Sequence, residues 1–173
     1  MSATLYLLLG YPGAGKTTSA KIIAELTNAA RLSSDDVRLR LFKQPVFSQE
    51  EHDQLYEYLD SQTKKLLRKG VSVIYDANLN RHKFRADKYN ICKQTGAKSV
   101  LIWVQTPIEL AKTRAVSSSR KSLWPSRETP DAMFDRIACS IQTPLIDEPH
   151  IVLDGSKLTK KLIATKLGLK LND

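Results

Sequence analysis

The residues Gly10-Tyr11-Pro12-Gly13-Ala14-Gly15-Lys16-Thr17 set three glycines, a lysine and a hydroxyl residue at the spacing GxxxxGK[ST]. Gly10, Gly13 and Gly15 let backbone N–H groups, that of Ala14 among them, turn inward around phosphate oxygens. A helix opening at Thr17 and Thr18 would add its N-terminal dipole, Lys16 would bridge the outer phosphates, and the Thr17 hydroxyl could ligate Mg²⁺. An apolar run precedes the motif and an amphipathic stretch follows it, which is the context this chemistry requires. The residues therefore imply a bound nucleoside triphosphate, expected to be ATP.

Acidic residues decide what becomes of that nucleotide. Ser34-Asp35-Asp36-Val37-Arg38 follows a weak strand over residues 31–34. In open α/β sheets the loops at strand carboxyl ends face the ligand crevice, so Asp35 is the candidate base for a substrate hydroxyl and a candidate metal ligand. Helix capping by Ser34 or Asp35 accounts for the same residue types. Asp36 is expected to face solvent or support the helix start. Asp76 ends the apolar strand Val71-Ser72-Val73-Ile74-Tyr75, where P-loop proteins carry the acid that orients Mg²⁺ or its water shell. In the following Asp76-Ala77-Asn78-Leu79-Asn80, Asn78 is a substrate-binding candidate, with turn chemistry the alternative for both asparagines.

Arg114 and Arg120 flank a Ser-rich break. They are the candidate cations of a mobile lid over about residues 114–127, where guanidinium groups would neutralise charge developing on a transferring phosphoryl group. Lys121 and Arg127 read as surface residues. Trp124-Pro125 reads as a hydrophobic anchor for the lid, with base stacking as the alternative. His52, His82 and His150 form no cluster and receive no role.

These residues need elements to hold them. Apolar runs alternate with amphipathic stretches, the pattern of a parallel sheet covered by helices on both faces. Strands are expected over residues 5–9, 31–34, 71–75, 100–104 and 151–153. Helices are expected over 17–26, from a capping box at Ser48-Gln49-Glu50-Glu51 to a stop at Gly70, and over 81–95, 107–116, 130–142 and 156–167. Leu55, Leu59, Leu66 and Leu67 mark the buried stripe of the long helix.

With 173 residues, 42% of them hydrophobic, the chain can bury one core, and no repeat or linker divides it, so a single domain over 1–173 is expected. Its two cysteines have no metal or disulfide spacing, and no apolar run is long enough for a signal or membrane segment. A reducing, cytoplasmic setting without a membrane partner fits. The formal charge of +9 is unevenly placed. Residues 81–127 hold eleven basic and two acidic side chains, against ten and nine in residues 1–80. An anionic partner would dock on that middle segment, unless it is a set of solvated helix faces.

Taken together, the segment from Gly10 to Thr17, Asp35-Asp36-x-Arg38, Asp76-Ala77-Asn78-Leu79-Asn80, and Arg114 with Arg120 resemble the P-loop kinase family that contains the kinase domain of bacteriophage polynucleotide 5′-hydroxyl kinase. The resemblance spans residues 5–155. It implies a P-loop NTPase three-layer sandwich with a five-stranded parallel sheet ordered 2-3-1-4-5. It further implies that Asp35 is the general base, that Arg38 meets a substrate phosphate, and that the lid arginines hold the ATP phosphates. Two departures stand out: no phosphatase domain follows, and six positions separate Arg114 from Arg120 where a tighter lid spacing is usual. The expected reaction is Mg²⁺-dependent phosphoryl transfer from ATP to a hydroxyl, the acceptor being first a nucleic acid 5′ end and second a small alcohol such as a sugar or nucleoside. A nucleotide-dependent regulatory ATPase is the reading from another class. Oligomeric state is not legible.

Overall fold

The structure, a computed structural model, describes residues 2–117 and 128–170, so Arg120, Lys121, Trp124, Pro125, Arg127 and most of the expected lid lie outside the described residues. Strand β1 (Thr4–Leu9) leads into helix α1 (Lys16–Thr27), followed by β2 (Ala30–Ser33), α2 (Ser34–Leu41), α3 (Gln49–Arg68), β3 (Val73–Asp76) and α4 (His82–Thr95). The chain continues through β4 (Lys98–Gln105), α5 (Ile108–Ser117), α6 (Pro130–Cys139), β5 (His150–Asp154) and α7 (Lys160–Leu167). All strand pairs are parallel and the sheet runs β2-β3-β1-β4-β5, the expected order.

Parallel strands buried on both faces read as continuous apolar runs, and β1 shows why. Leu5, Leu7 and Leu9 enter one core with Leu55 and Leu59 of α3 and Ile91 of α4, whereas Leu8 enters the other with Ala20 and Ile23 of α1 and Ile163 of α7. A third, smaller cluster joins Ala111 and Ala115 of α5 to Phe134 of α6. Because every strand points the same way, the segments after all five C-terminal ends gather on one side of the sheet. Among the described residues no helix is long and apolar enough to cross a membrane.

Several expectations shift by a residue or an element. Residues 34–41 form a full helix, and its cap is neither Ser34 nor Asp35: Ser33 Oγ accepts the Asp36 N–H at 3.3 Å. The Ser48 half of the capping box forms, with Ser48 Oγ accepting the Glu51 N–H at 3.2 Å. Glu51 reaches further back than a box requires, accepting from Phe47 N at 2.8 Å and Val46 N at 3.0 Å. Helix α7 opens at Thr159 rather than at residue 156, because Asp154 and Ser156 first close a turn between them.

Candidate active site

Gly10, Gly13 and Gly15 have φ of 151°, 75° and 103°, in the range that side chains rarely adopt. Space enforces the choice at Gly13, where a Cβ would collide with the Ala111 carbonyl and the Ala115 N–H of α5. The turn between them closes with Ala14 N donating to Tyr11 O at 3.1 Å, and Thr106 Oγ1, after β4, donates to Ala14 O at 2.9 Å. Lys16 Nζ is held over this turn by the carbonyls of Gly10 at 2.7 Å and Tyr11 at 2.8 Å. Helix α1 starts at Gly15 without a side-chain cap and without an acid in its first turn, and Thr18 lies exposed on that turn. Its opening N–H groups and dipole thus suit an anion.

At the end of β3, beside this helix start, Asp76 is 8% exposed and its Oδ1 lies 3.5 Å from Thr17 Oγ1. The other carboxylate oxygen, Oδ2, accepts from Arg31 Nε at 2.9 Å and Nη2 at 2.7 Å, and Arg31 Nη1 reaches Asp36 Oδ2 at 3.1 Å. Asp36 is solvent-facing, as expected, and also paired. A hydroxyl and a carboxylate oxygen facing each other are hard donors of the kind Mg²⁺ takes in ones and twos, the remainder being phosphate oxygens and water. The pair fits that ion.

Asp35 sits in the first turn of α2, at the end of the neighbouring strand. One turn on, Arg38 is buried, its guanidinium 4.7 Å from the centre of the Phe47 ring and 3.4 Å from Glu51 Oε2. Helix α3 turns two aromatic residues toward this region: the His52 and Tyr56 rings lie 4.4 Å apart, and Tyr56 Oη accepts the Asn78 N–H at 3.2 Å. Burial pushes the Tyr56 hydroxyl up to about 12, Asn78 and Arg38 opposing and Asp35 and Asp60 reinforcing the shift. Burial lowers His52, and Arg38 adds to the effect. Tyr56 therefore stays a neutral hydroxyl. Asn78 serves its own turn, its Oδ1 accepting from Asn80 N at 3.0 Å.

A family assignment follows from the loop, its strand and the acid at the end of β3: the AAA domain family AAA_33 matches residues 5–144. The chain belongs to that family. Among solved structures with this fold, one from Chloroflexus aurantiacus superposes with a TM-score of 0.78 at 16% identity, covering 97% of this chain and 98% of that one. The Mycobacterium tuberculosis APS kinase CysC in complex with AMPPNP and APS gives 0.69 at 16%, with 96% of each chain covered. A chain of the Pnkp1/Rnl/Hen1 RNA repair complex gives 0.66 at 22%, covering 80% of this chain and 43% of that one. At such identities the likeness is one of fold. This AAA_33 member carries its phosphate-type loop between β1 and α1 of a five-stranded parallel sheet.

The structure shows where the expected cations of this AAA_33 domain are held. Arg114 lies near the end of α5, within the helix expected over 107–116, and its Nη1 donates to the Gly155 carbonyl at 2.9 Å, tying α5 to the segment after β5. Four of the eight described cations of the basic middle segment, Arg85, Lys88, Lys112 and Arg114, are engaged within the fold. Arg85, fully buried, pairs with Glu148 at 2.6 and 2.8 Å and donates to Leu79 O at 3.0 Å. Lys88 meets both oxygens of Asp60 at 2.5 and 2.6 Å, and Lys112 meets Asp135 at 2.8 Å. Arg81, Lys83, Lys93 and Lys98 remain on the surface. Sequence reasoning missed Arg31, Tyr56, Thr106 and Gly155. A cation inside a short strand is the one signal that could have found Arg31.

Proposed function

We propose that the protein is a kinase that transfers the γ-phosphoryl group of ATP to the hydroxyl of a compact alcohol, Asp35 accepting the hydroxyl proton. The observation that carries this reading is the meeting of the Thr17 and Asp76 oxygens beside the loop, with Asp35 at the next strand end. The acceptor oxygen forms a bond to the γ-phosphorus as the bond to the β–γ bridging oxygen breaks, ADP leaves, and the proton passes to the Asp35 carboxylate. Gly10, Gly13 and Gly15 offer their N–H groups to the phosphates, Ala14 shapes the turn because its N–H is already donated to Tyr11 O, Thr18 supports the helix start, and Lys16 binds the outer oxygens. Thr17 and Asp76 would hold Mg²⁺, with Asp35, at the end of the neighbouring strand, a further candidate ligand. When bound, the ion neutralises charge on the β- and γ-oxygens. Arg114 ties α5 to the segment after β5, and Arg120, outside the described residues, serves as the lid cation.

A compact acceptor is favoured because Arg85, Lys88 and Lys112 already face internal carboxylates. A polynucleotide 5′-hydroxyl is the second reading, favoured by Arg38 one helical turn from Asp35 and by the exposed cations of α4. Labelled γ-phosphate offered to sugars, nucleosides, nucleoside 3′-phosphates and 5′-hydroxyl oligonucleotides tests both. Asp35→Asn should lower transfer by roughly 10²–10⁴ while ATP affinity changes only a few-fold. Acceptor-independent ATP hydrolysis that survives Asp35→Asn would instead mark a regulatory ATPase.

A further inference from the structure

Arg31 reaches two carboxylates on different elements, and the way it grips them is specific. Nε and Nη2 both land on Oδ2 of Asp76, at 2.9 and 2.7 Å, while Nη1 takes Oδ2 of Asp36 at 3.1 Å. A carboxylate can turn about its Cβ–Cγ bond and exchange its oxygens. Two donors on one oxygen, from a planar and rigid fork, remove that freedom, and the oxygen left over is the one turned to Thr17 Oγ1 at 3.5 Å.

Stability of the sheet does not call for this arrangement. Strands β2 and β3 are already in register through the backbone from Ala30↔Val73 to Ser33↔Asp76, and the start of α2 is already tied by the Ser33 cap on Asp36 N. Charge adds a second argument. Asp76 is 8% exposed and Arg31 19%, so the guanidinium compensates a buried carboxylate.

We infer that Arg31 is a positioning residue that presents Asp76 Oδ1 to Thr17, so that a nucleotide-bound divalent cation meets an oxygen pair set in advance, and that through Asp36 it ties this pair to the helix start carrying Asp35. The inference rests on the reading of Thr17 and Asp76 as the cation-binding pair.

The test measures affinity for a fluorescent ATP analogue in EDTA and across a Mg²⁺ titration, with thermal melts alongside, for the wild type, Arg31→Gln, Arg31→Lys and Asp36→Asn. In the wild type Mg²⁺ should tighten binding. Arg31→Gln should raise the half-saturating Mg²⁺ concentration roughly tenfold or more, the usual effect of losing a group that orients a metal ligand, while affinity in EDTA stays within about twofold. Arg31→Lys keeps the charge and loses the fork, so it should fall between the two; Asp36→Asn should leave the Mg²⁺ response near wild type. An unchanged Mg²⁺ response in Arg31→Gln overturns the inference, as does an equal loss in EDTA and in Mg²⁺, which marks a structural strut. If Arg31→Gln fails to fold because Asp76 is left uncompensated, Arg31→Lys carries the decision, and a wild-type Mg²⁺ response there overturns the inference. A wild-type protein that gains nothing from Mg²⁺ overturns the cation pair itself, and the role of Arg31 with it.

Discussion

Helices α1 and α3 begin in opposite ways. At α3 the chain satisfies its own helix end: Ser48 accepts from Glu51 N, and Glu50 and Glu51 place negative charge in the first turn. Caps from Ser33, Thr129 and Thr159 do the same for α2, α6 and α7. At α1 the capping position is Gly15, which has no side chain to offer, the first turn holds no acid, and a lysine stands at its first position. Every helix exposes about four N–H groups at its start and a partial positive charge. Four helices are closed by their own caps, and α4, which has neither a side-chain cap nor a first-turn acid, has its His82 N–H taken by Gln142 Oε1 at 2.8 Å; the first turn of α1 is the one we propose meets an external anion.

The largest effect should come from removing the cation of this open start. Lys16→Ala is expected to preserve the fold, since Lys16 Nζ bonds the loop carbonyls of Gly10 and Tyr11, yet to remove most nucleotide-dependent activity. Near-normal turnover with an unchanged melting temperature would contradict the role assigned to α1.

A buried pair away from the loop should show the reverse pattern, a large effect on stability and none specific to nucleotide. Burial alone would raise the Glu148 carboxyl, but the bonds from Arg85 and Tyr89 outweigh it and hold the carboxyl at about 2 in place of 4.5. A carboxyl depressed on folding stabilises the protein above its unfolded value, and the contribution is lost as pH falls from about 4.5 through about 2. Melting temperature in the wild type should drop steeply across that window, and Glu148→Gln, already destabilised near neutrality, should lose much less there. Parallel curves for the two proteins would show that Glu148 does not drive acid unfolding.

That pair also shows where the sequence was legible. The loop, β1 and β4 were readable because spacing and unbroken apolar runs are local signals. Arg85 and Lys88 were read as a docking surface because their partners, Glu148 and Asp60, stand 63 and 28 positions away. Yet residues 85, 88, 91 and 92 follow helical spacing and share one buried face, so the stripe was visible once cations are allowed to join it. Arg114 illustrates a different limit: the helix end was located, but nothing local reveals that its donor turns to Gly155. The cap of α2 was missed by one residue, within the ordinary uncertainty of a helix boundary.

Smaller effects test the two helix starts directly. Thr18→Glu would give α1 the first-turn acid that α3 has. Thr18 is exposed, so the change should stabilise the helix by about 0.3–1 kcal/mol and weaken ATP binding roughly tenfold through repulsion of the phosphates. Ser48→Ala is the mirror experiment, expected to cost about 1 kcal/mol with ATP affinity unchanged. Calorimetry on the two variants separates them. If Thr18→Glu left ATP affinity intact, the open start of α1 would not be the phosphate site.

The smallest effect is expected where the sequence made its broadest suggestion, the basic segment. A chain that tracks a single-stranded backbone releases counterions at each phosphate, giving a log–log slope of affinity against salt of about −0.7 per contact. With Arg85, Lys88 and Lys112 facing Glu148, Asp60 and Asp135, the surface cations on and just before α4 are Arg81, Lys83 and Lys93. Three scattered cations would support at most a slope of about −2, and a compact acceptor would show almost none. The acceptor KM should therefore change less than about twofold between about 50 and 200 mM salt, and replacing Arg81, Lys83 and Lys93 together by serine should leave it unaltered. Because these side chains lie on the surface, the triple variant should fold normally, so any change in KM reports on the acceptor alone. A slope near −2 that disappears in the triple variant would identify α4 as a nucleic-acid face after all and return the 5′-hydroxyl end to first place among acceptors.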